Sequence, residues 1–188
     1  VDLRRVLWLI HLGMIIFVGW QGVMAMQAAD LVTYLRDVSG RTASYLLLGT
    51  LLFAPLSRLW PRLRLYIKVR RYLGLWGFCM VLIHVIVWVS LEFAFDWSLM
   101  WQEVNDNLFI WLGLVALILL LPMAVTSNNK AVRRLGFRRW QGLHSVAYLI
   151  VPLSLGHYFM AQKVASGEPI VLLLVLLLLM FWRFKYAD

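Results

Sequence analysis

Six stretches of this chain are each about as long as a membrane-crossing helix, mostly apolar and poor in charge. They cover residues 6–29, 43–60, 72–95, 108–125, 143–161 and 169–184. A bilayer's hydrocarbon core asks for about 20 apolar residues per helical span. A soluble domain of 188 residues, 63% of them hydrophobic and only 14% charged, could not hide that much apolar surface in its own core. Lipid offers no hydrogen bonds to the backbone, so each span must satisfy its amides internally as a helix. The expected fold is therefore all-α, an integral membrane bundle of six transmembrane helices forming one domain over residues 1–188. No repeat, low-complexity tract or interdomain linker stands out. The sixth run, PIVLLLVLLLLMFW, reads as a lipid-facing packing helix. The first is long enough to span and lacks a small-residue cleavage site, so it is not expected to be a signal peptide.

A net charge of +9 could suggest a nucleic-acid partner, but the basic residues flank the apolar runs. The connection between the second and third runs holds Arg58, Arg62, Arg64, Lys68, Arg70 and Arg71. That between the fourth and fifth holds Lys130, Arg133, Arg134, Arg138 and Arg139. With Arg4, Arg5, Arg183 and Lys185 these make up fifteen of the 18 cations, all on one side. The other side keeps Arg36, Arg41 and Lys163 with seven of the nine acids. The positive-inside rule then places both termini in the cytoplasm, with no nucleic acid involved. Trp20, Trp60, Trp97, Trp101 and Trp111 fall near span ends, where interfacial aromatics sit. Cys79 is the only cysteine, which rules out a disulfide framework and cysteine-ligated clusters.

His11, His84, His144 and His157 are the only histidines, and every one falls inside a span. An ionisable residue at membrane depth is costly and marks a cavity, an ion path or a cofactor. The ordinary reading of any one of them is a neutral imidazole hydrogen-bonded between helices; four out of four weakens it. Neutral imidazole is also the common axial ligand of haem iron. His144 and His157 stand about 20 Å apart along a helix, so one metal cannot hold both, whereas two cofactors at different depths can. Depth counted from the inner ends pairs His84 with His157 in the outer half and leaves His144 with His11 in the inner half. Thirteen residues also turn the His144 and His157 side chains about 140° apart on an ideal helix. Pro152 lies between them and could bend the helix.

Three segments carry a resemblance. SGRTASYLLLGTLLFAPLSR (39–58), RRYLGLWGFCMVLIH (70–84) and RRLGFRRWQGLHSVAYL (133–149), followed by His157–Tyr158, resemble the MsrQ (YedZ) family within the ferric-reductase-like transmembrane group. The resemblance covers nearly the whole chain in order. It implies haem b, with His84, His144 and His157 at the family's axial-ligand positions. It also implies FMN, electrons drawn from membrane quinones, and delivery to a periplasmic molybdenum-cofactor subunit, MsrP, that reduces methionine sulfoxide. The wider group often carries a second histidine fourteen residues before the outer one of the third span; Arg70 stands there instead. The inner centre stays open on that account: a second haem using His11, a haem with one protein ligand, or a flavin. Arg70 and Arg71 would suit a flavin phosphate, although topology alone also explains cations at that level.

No Rossmann or P-loop glycine pattern and no hydrolytic side-chain set is present, so no catalytic residue is expected. The expectation is an electron-transfer subunit, not a complete enzyme, one that needs a soluble acceptor on the outer face. Asp96, Glu103 and Asp106, with Trp97 and Trp101, offer an acidic, aromatic surface for it in a short connection; ordinary solvated loop residues are the plainer reading. The competing readings are a stand-alone ferric or quinone reductase of the same fold and a transporter relaying protons through the histidines.

Overall fold

The computed structural model describes residues 2–66, 68–162 and 167–185, so Lys163 lies outside the described residues. Helix α1 runs over Leu3–Gln27, begun by Asp2, whose carboxylate accepts the Arg4 amide at 3.0 Å. Only Ala25 of α1 is buried, and Trp8, Leu9, Leu12, Ile15, Ile16 and Trp20 all face outward. In water such a face would be a liability; in lipid it is the natural surface.

Helix α2 spans Leu31–Leu59 and starts twelve residues before the sequence reading put it. Hydropathy stops at Arg36, Asp37 and Arg41, but a helix needs only unbroken backbone bonds and a start signal. Asp30 supplies the start, accepting the amides of Val32 and Thr33 at 3.0 and 3.1 Å. The Thr33 hydroxyl and amide also hold the Asp30 carboxyl below the usual carboxylate range. The charges within α2 are paired: Arg36 with Asp37 and Glu92, Arg41 with Glu168 at 3.8 Å. Its buried hydroxyls turn back on the helix, Ser39 to the Leu35 carbonyl at 2.6 Å and Thr50 to that of Leu47 at 2.7 Å.

A 3₁₀ segment, Pro61–Tyr66, leads to α3, Val69–Val87, which continues as a π-helical turn over Trp88–Glu92. Ala94 and Phe95 then take positive φ angles of 46° and 64°, uncommon for side chains of their size, and reverse the chain. Asp96 caps a ten-residue helix α4, Trp97–Asp106, through the amides of Ser98 and Leu99. The sequence reading treated this stretch as a loop. It is an amphipathic helix that buries Met100 and Val104 and leaves Trp97 and Trp101 exposed at 68% and 63%. Trp20, Trp60 and Trp111 are exposed as well.

Helix α5 covers Leu108–Val125 and α6 covers Asn129–Leu135. Gly136, at φ 76°, turns the chain into α7, Phe137–Ser145, where a residue with a side chain would be strained. Helix α8, Ala147–Ala161, follows after a break at Val146, and α9 covers Gly167–Lys185. The fifth apolar run is thus a broken helix. At the break the Val146 amide bonds to the Leu143 carbonyl and the Leu149 amide to that of Val146, three-residue steps that tighten the turn.

Among the described residues, α1, α2, α3 with its π turn, α5 and the α7–α8 pair are long and apolar enough to cross a membrane. Helix α9, 19 residues with a leucine-rich middle, is the sixth of the bundle. The core joins Leu47, Leu48 and Leu51 of α2 to Leu120 of α5, Ile150, Val151 and Leu155 of α8, and Leu172 and Leu176 of α9. Lipid tails are as apolar as leucine, so close fit rather than escape from water holds these helices together. Gly77 of α3 shows that fit, since a Cβ there would stand 3.1 Å from a Leu47 methyl.

Candidate functional site

His84 lies in the last turn of α3 and His157 in the second half of α8, and the bundle brings the two imidazoles face to face. Their ring centroids are 6.2 Å apart with planes crossing at 86°. Each ring is held from behind by a different helix. His84 Nδ1 bonds to the Arg36 carbonyl of α2 at 3.0 Å, and His157 Nδ1 to the Phe109 carbonyl of α5 at 2.7 Å. A carbonyl only accepts, so both Nδ1 atoms carry the proton and both Nε2 atoms keep a free lone pair. Neither Nε2 has a hydrogen-bond partner among the described residues, and no fully buried polar side-chain atom lacks one. Neither Nε2 is therefore fully enclosed by the protein's own atoms. A ring nitrogen bonded to a carbonyl, with its opposite nitrogen free, is the usual posture of a metal-ligating histidine.

No cluster of three or more histidine, cysteine or carboxylate side chains able to hold a metal is present among the described residues. A two-imidazole site suits a metal that brings its remaining ligands with it, as in a macrocycle.

The other two histidines are not brought together. His11 stands against α3, where Trp76 Nε1 donates to its Nδ1 at 3.1 Å and Tyr72 meets its ring edge-on at 5.2 Å. An indole nitrogen only donates, so His11 Nδ1 accepts and the proton of the neutral ring sits on Nε2. His144 stacks on Trp140 at 4.1 Å and shares a hydrogen bond with Thr126 Oγ1 at 3.1 Å. Trp140 Nε1 donates to the Thr126 carbonyl at 3.0 Å, closing a small network at the C-terminal end of α5. His144 and His157 thus both reach α5, at opposite ends, despite their separation in phase. The tightened turn at Val146 lies between them, together with Pro152.

Arg71 spends its guanidinium on the α5–α6 corner, with Nε on the Ser127 carbonyl at 2.6 Å, Nη2 on that same oxygen and Nη1 on Asn129 Oδ1 at 2.9 Å. Arg70 makes no ion pair among the described residues. Beside Arg71 opens a cleft of about 660 Å³ that also includes Asn129, Lys130 and Arg133. These last two cations were counted for topology alone, and no local spacing in the sequence ties them to Arg71. On the outer side, Glu103 accepts from Asn107 at 3.0 Å and Asp96 caps α4, so both acids also have structural work.

Residues 39–155 match the family described as ferric reductase like transmembrane component. Similar chains include one from Caulobacter vibrioides, 35% identical over 176 residues that make up 94% of this chain and 83% of the relative. A second, from Cronobacter sakazakii, is 36% identical over 97% of this chain and 94% of its own. A third, from Salmonella arizonae, is 38% identical over 84% and 80%. All three bear the description protein-methionine-sulfoxide reductase heme-binding subunit MsrQ. With an all-helical bundle around a half-buried histidine pair, and relatives matched over most of their length, the chain belongs to the MsrQ family of ferric-reductase-like transmembrane proteins.

Proposed function

We propose that this protein is a b-type cytochrome subunit. It takes electrons from membrane quinones and passes them across the bacterial inner membrane to a periplasmic molybdenum-cofactor methionine sulfoxide reductase. The observation that carries this reading is the His84–His157 pair. Metal–imidazole bonds of about 2.0–2.1 Å put the centroids of two rings on opposite sides of one metal about 6 to 6.5 Å apart. The observed separation is 6.2 Å. The residues present therefore fit a haem that His84 and His157 would hold, and the relatives' names describe those proteins as heme-binding subunits.

Such a haem supplies one-electron storage at a potential set by its ligands, their hydrogen bonds and the dryness of the site. The protein's own contribution is positional. The carbonyls of Arg36 and Phe109 fix both ring tautomers and make the Nε2 atoms better donors. Helices α2, α3, α5 and α8 hold the rings at the outer ends of the core, and the apolar side chains around them keep bulk water out. In the inner half, His144 and His11 remain the candidates for a second haem. The Arg70–Arg71 region, with Lys130 and Arg133 beside it, is our candidate for an FMN phosphate. A phosphate there would meet point charges at the inner membrane surface.

The test is an optical spectrum of the purified protein with haem and flavin counted per chain. At least one low-spin haem b per chain is expected. A colourless protein made under adequate haem supply would instead favour a histidine-relay transporter.

The charge distribution orients the subunit with both termini and the two arginine-rich connections in the cytoplasm and α4 in the periplasm. Reporter fusions at Ala187 and near Glu103 are expected to report opposite compartments. The same compartment for both would mean an odd number of spans.

A further inference from the structure

The two imidazole–carbonyl bonds are built alike. His84 follows its acceptor Arg36 by 48 residues, and His157 follows Phe109 by the same 48. Four residues beyond each acceptor stands a glycine, Gly40 in α2 and Gly113 in α5. In an α-helix the carbonyl of residue i points toward residue i+4. The Cα–Cβ bond there leans back toward the N-terminus. A side chain at i+4 therefore hangs over the carbonyl and shields it from a neighbouring helix.

At these two positions the shield is missing and an imidazole takes its place. A Cβ on Gly40 would stand 3.0 Å from His84 Nδ1 and 3.2 Å from its Cε1. A Cβ on Gly113 would stand 2.9 Å from His157 Nδ1 and 3.1 Å from its Cε1. Two comparison glycines are looser. Gly49, also in α2, meets only a Leu73 methyl at 3.9 Å, and Gly156 of α8, adjacent to His157 in sequence, only a Leu112 methyl at 3.6 Å.

We propose that Gly40 and Gly113 are positioning residues for the two haem ligands: each uncovers one helical carbonyl, and that carbonyl then sets the tautomer and direction of the histidine opposite. This rests on the reading that His84 and His157 ligate one iron. The same device is used twice, from two different helices, once for each histidine. Neither glycine touches the metal. Each acts through its histidine.

The experiment compares purified haem-loaded wild type with Gly40→Ala, Gly113→Ala and the control Gly156→Ala. The readouts are the low-spin signal, carbon monoxide binding by the reduced protein, and haem loss to a scavenging apoprotein. Alanine is the better helix former, so a lost signal cannot come from a weaker helix. Wild type and Gly156→Ala should stay low-spin and refuse carbon monoxide, which needs an open axial position. Gly40→Ala is expected to hold haem about 10-fold more weakly, and Gly113→Ala, with the closer contact, more weakly still, toward about 100-fold, with a carbon monoxide-reactive fraction in both. Should Gly113→Ala fail to accumulate, Gly40→Ala decides alone. Wild-type behaviour in the glycine variants, or an equal change in Gly156→Ala, overturns the proposal. If the haem reading itself is wrong, the wild type has no bis-histidine signal to lose, so the two failures are distinguishable.

Discussion

Replacing His84 by alanine is expected to abolish the same low-spin haem component that replacing His157 abolishes, each completely. The two imidazoles lie 6.2 Å apart, centroid to centroid, and each leaves one Nε2 free. If both bind one iron, removing either ends six-coordination. The double variant should then lose no more than either single one, the non-additivity of groups that act as a unit. His144→Ala should leave this component largely in place, because His144 is engaged by Thr126 and Trp140 at the other end of α5. Low-temperature spectra of the four variants make the comparison. Loss of one shared signal in His84→Ala and His144→Ala, with His157→Ala unaffected, would refute the pairing.

Reoxidation of the quinol-reduced protein in liposomes by methionine sulfoxide is expected only when a periplasmic-type methionine sulfoxide reductase is present. The difference should be close to all or none. The outer connection that follows α3 is a π turn, a two-residue reversal and the ten-residue helix α4. An ordinary small-molecule site is a concave volume of about 300–1,000 Å³ with convergent polar groups. Helix α4 instead presents a convex face with Trp97 and Trp101 exposed, and the acids Asp96, Glu103 and Asp106 along it. Such a face suits docking better than enclosure. Stopped-flow absorbance of the reduced haem, with and without the partner, measures the effect. Fast reoxidation by methionine sulfoxide or a ferric chelate alone would favour a self-sufficient reductase.

The long apolar runs were legible because one solvent dictates them. Helix α1, α3 with its π turn, and α5 match their runs to within a few residues, since apolar residues dominate them from end to end. Helix α2 was cut short because Arg36, Asp37 and Arg41 lower its hydropathy, while their partners Glu92 and Glu168 are remote in sequence. Helix α4 was hidden for the opposite reason. Its Asp96 cap and its Met100/Val104 face are visible, but a ten-residue stretch of mixed polar, aromatic and apolar residues between spans looks like a loop. The depth count put His84 and His157 at one level, and the rings do lie together. It also put His11 and His144 at a similar depth; in the structure His11 rests against Tyr72 and Trp76, and His144 stacks on Trp140. Depth says nothing about azimuth, and azimuth sends His11 to α3. Gly40 and Gly113 were missed although the matched 48-residue intervals were there to be seen. No side-chain pattern reveals that a carbonyl has been left uncovered.

Arg36 grips with both of its ends. Its carbonyl holds His84, while its guanidinium holds Glu92 in the π-helical turn that leads to α4. The turn and the imidazole also belong to one continuous helix, with His84 four residues before Trp88. The outer turn, Arg36 and His84 therefore close a mechanical loop that contains only helical backbone, one hydrogen bond and one ion pair. A load applied to the π turn has little slack in which to dissipate before it reaches the ring, so the turn and the His84 imidazole are held as one stiff part.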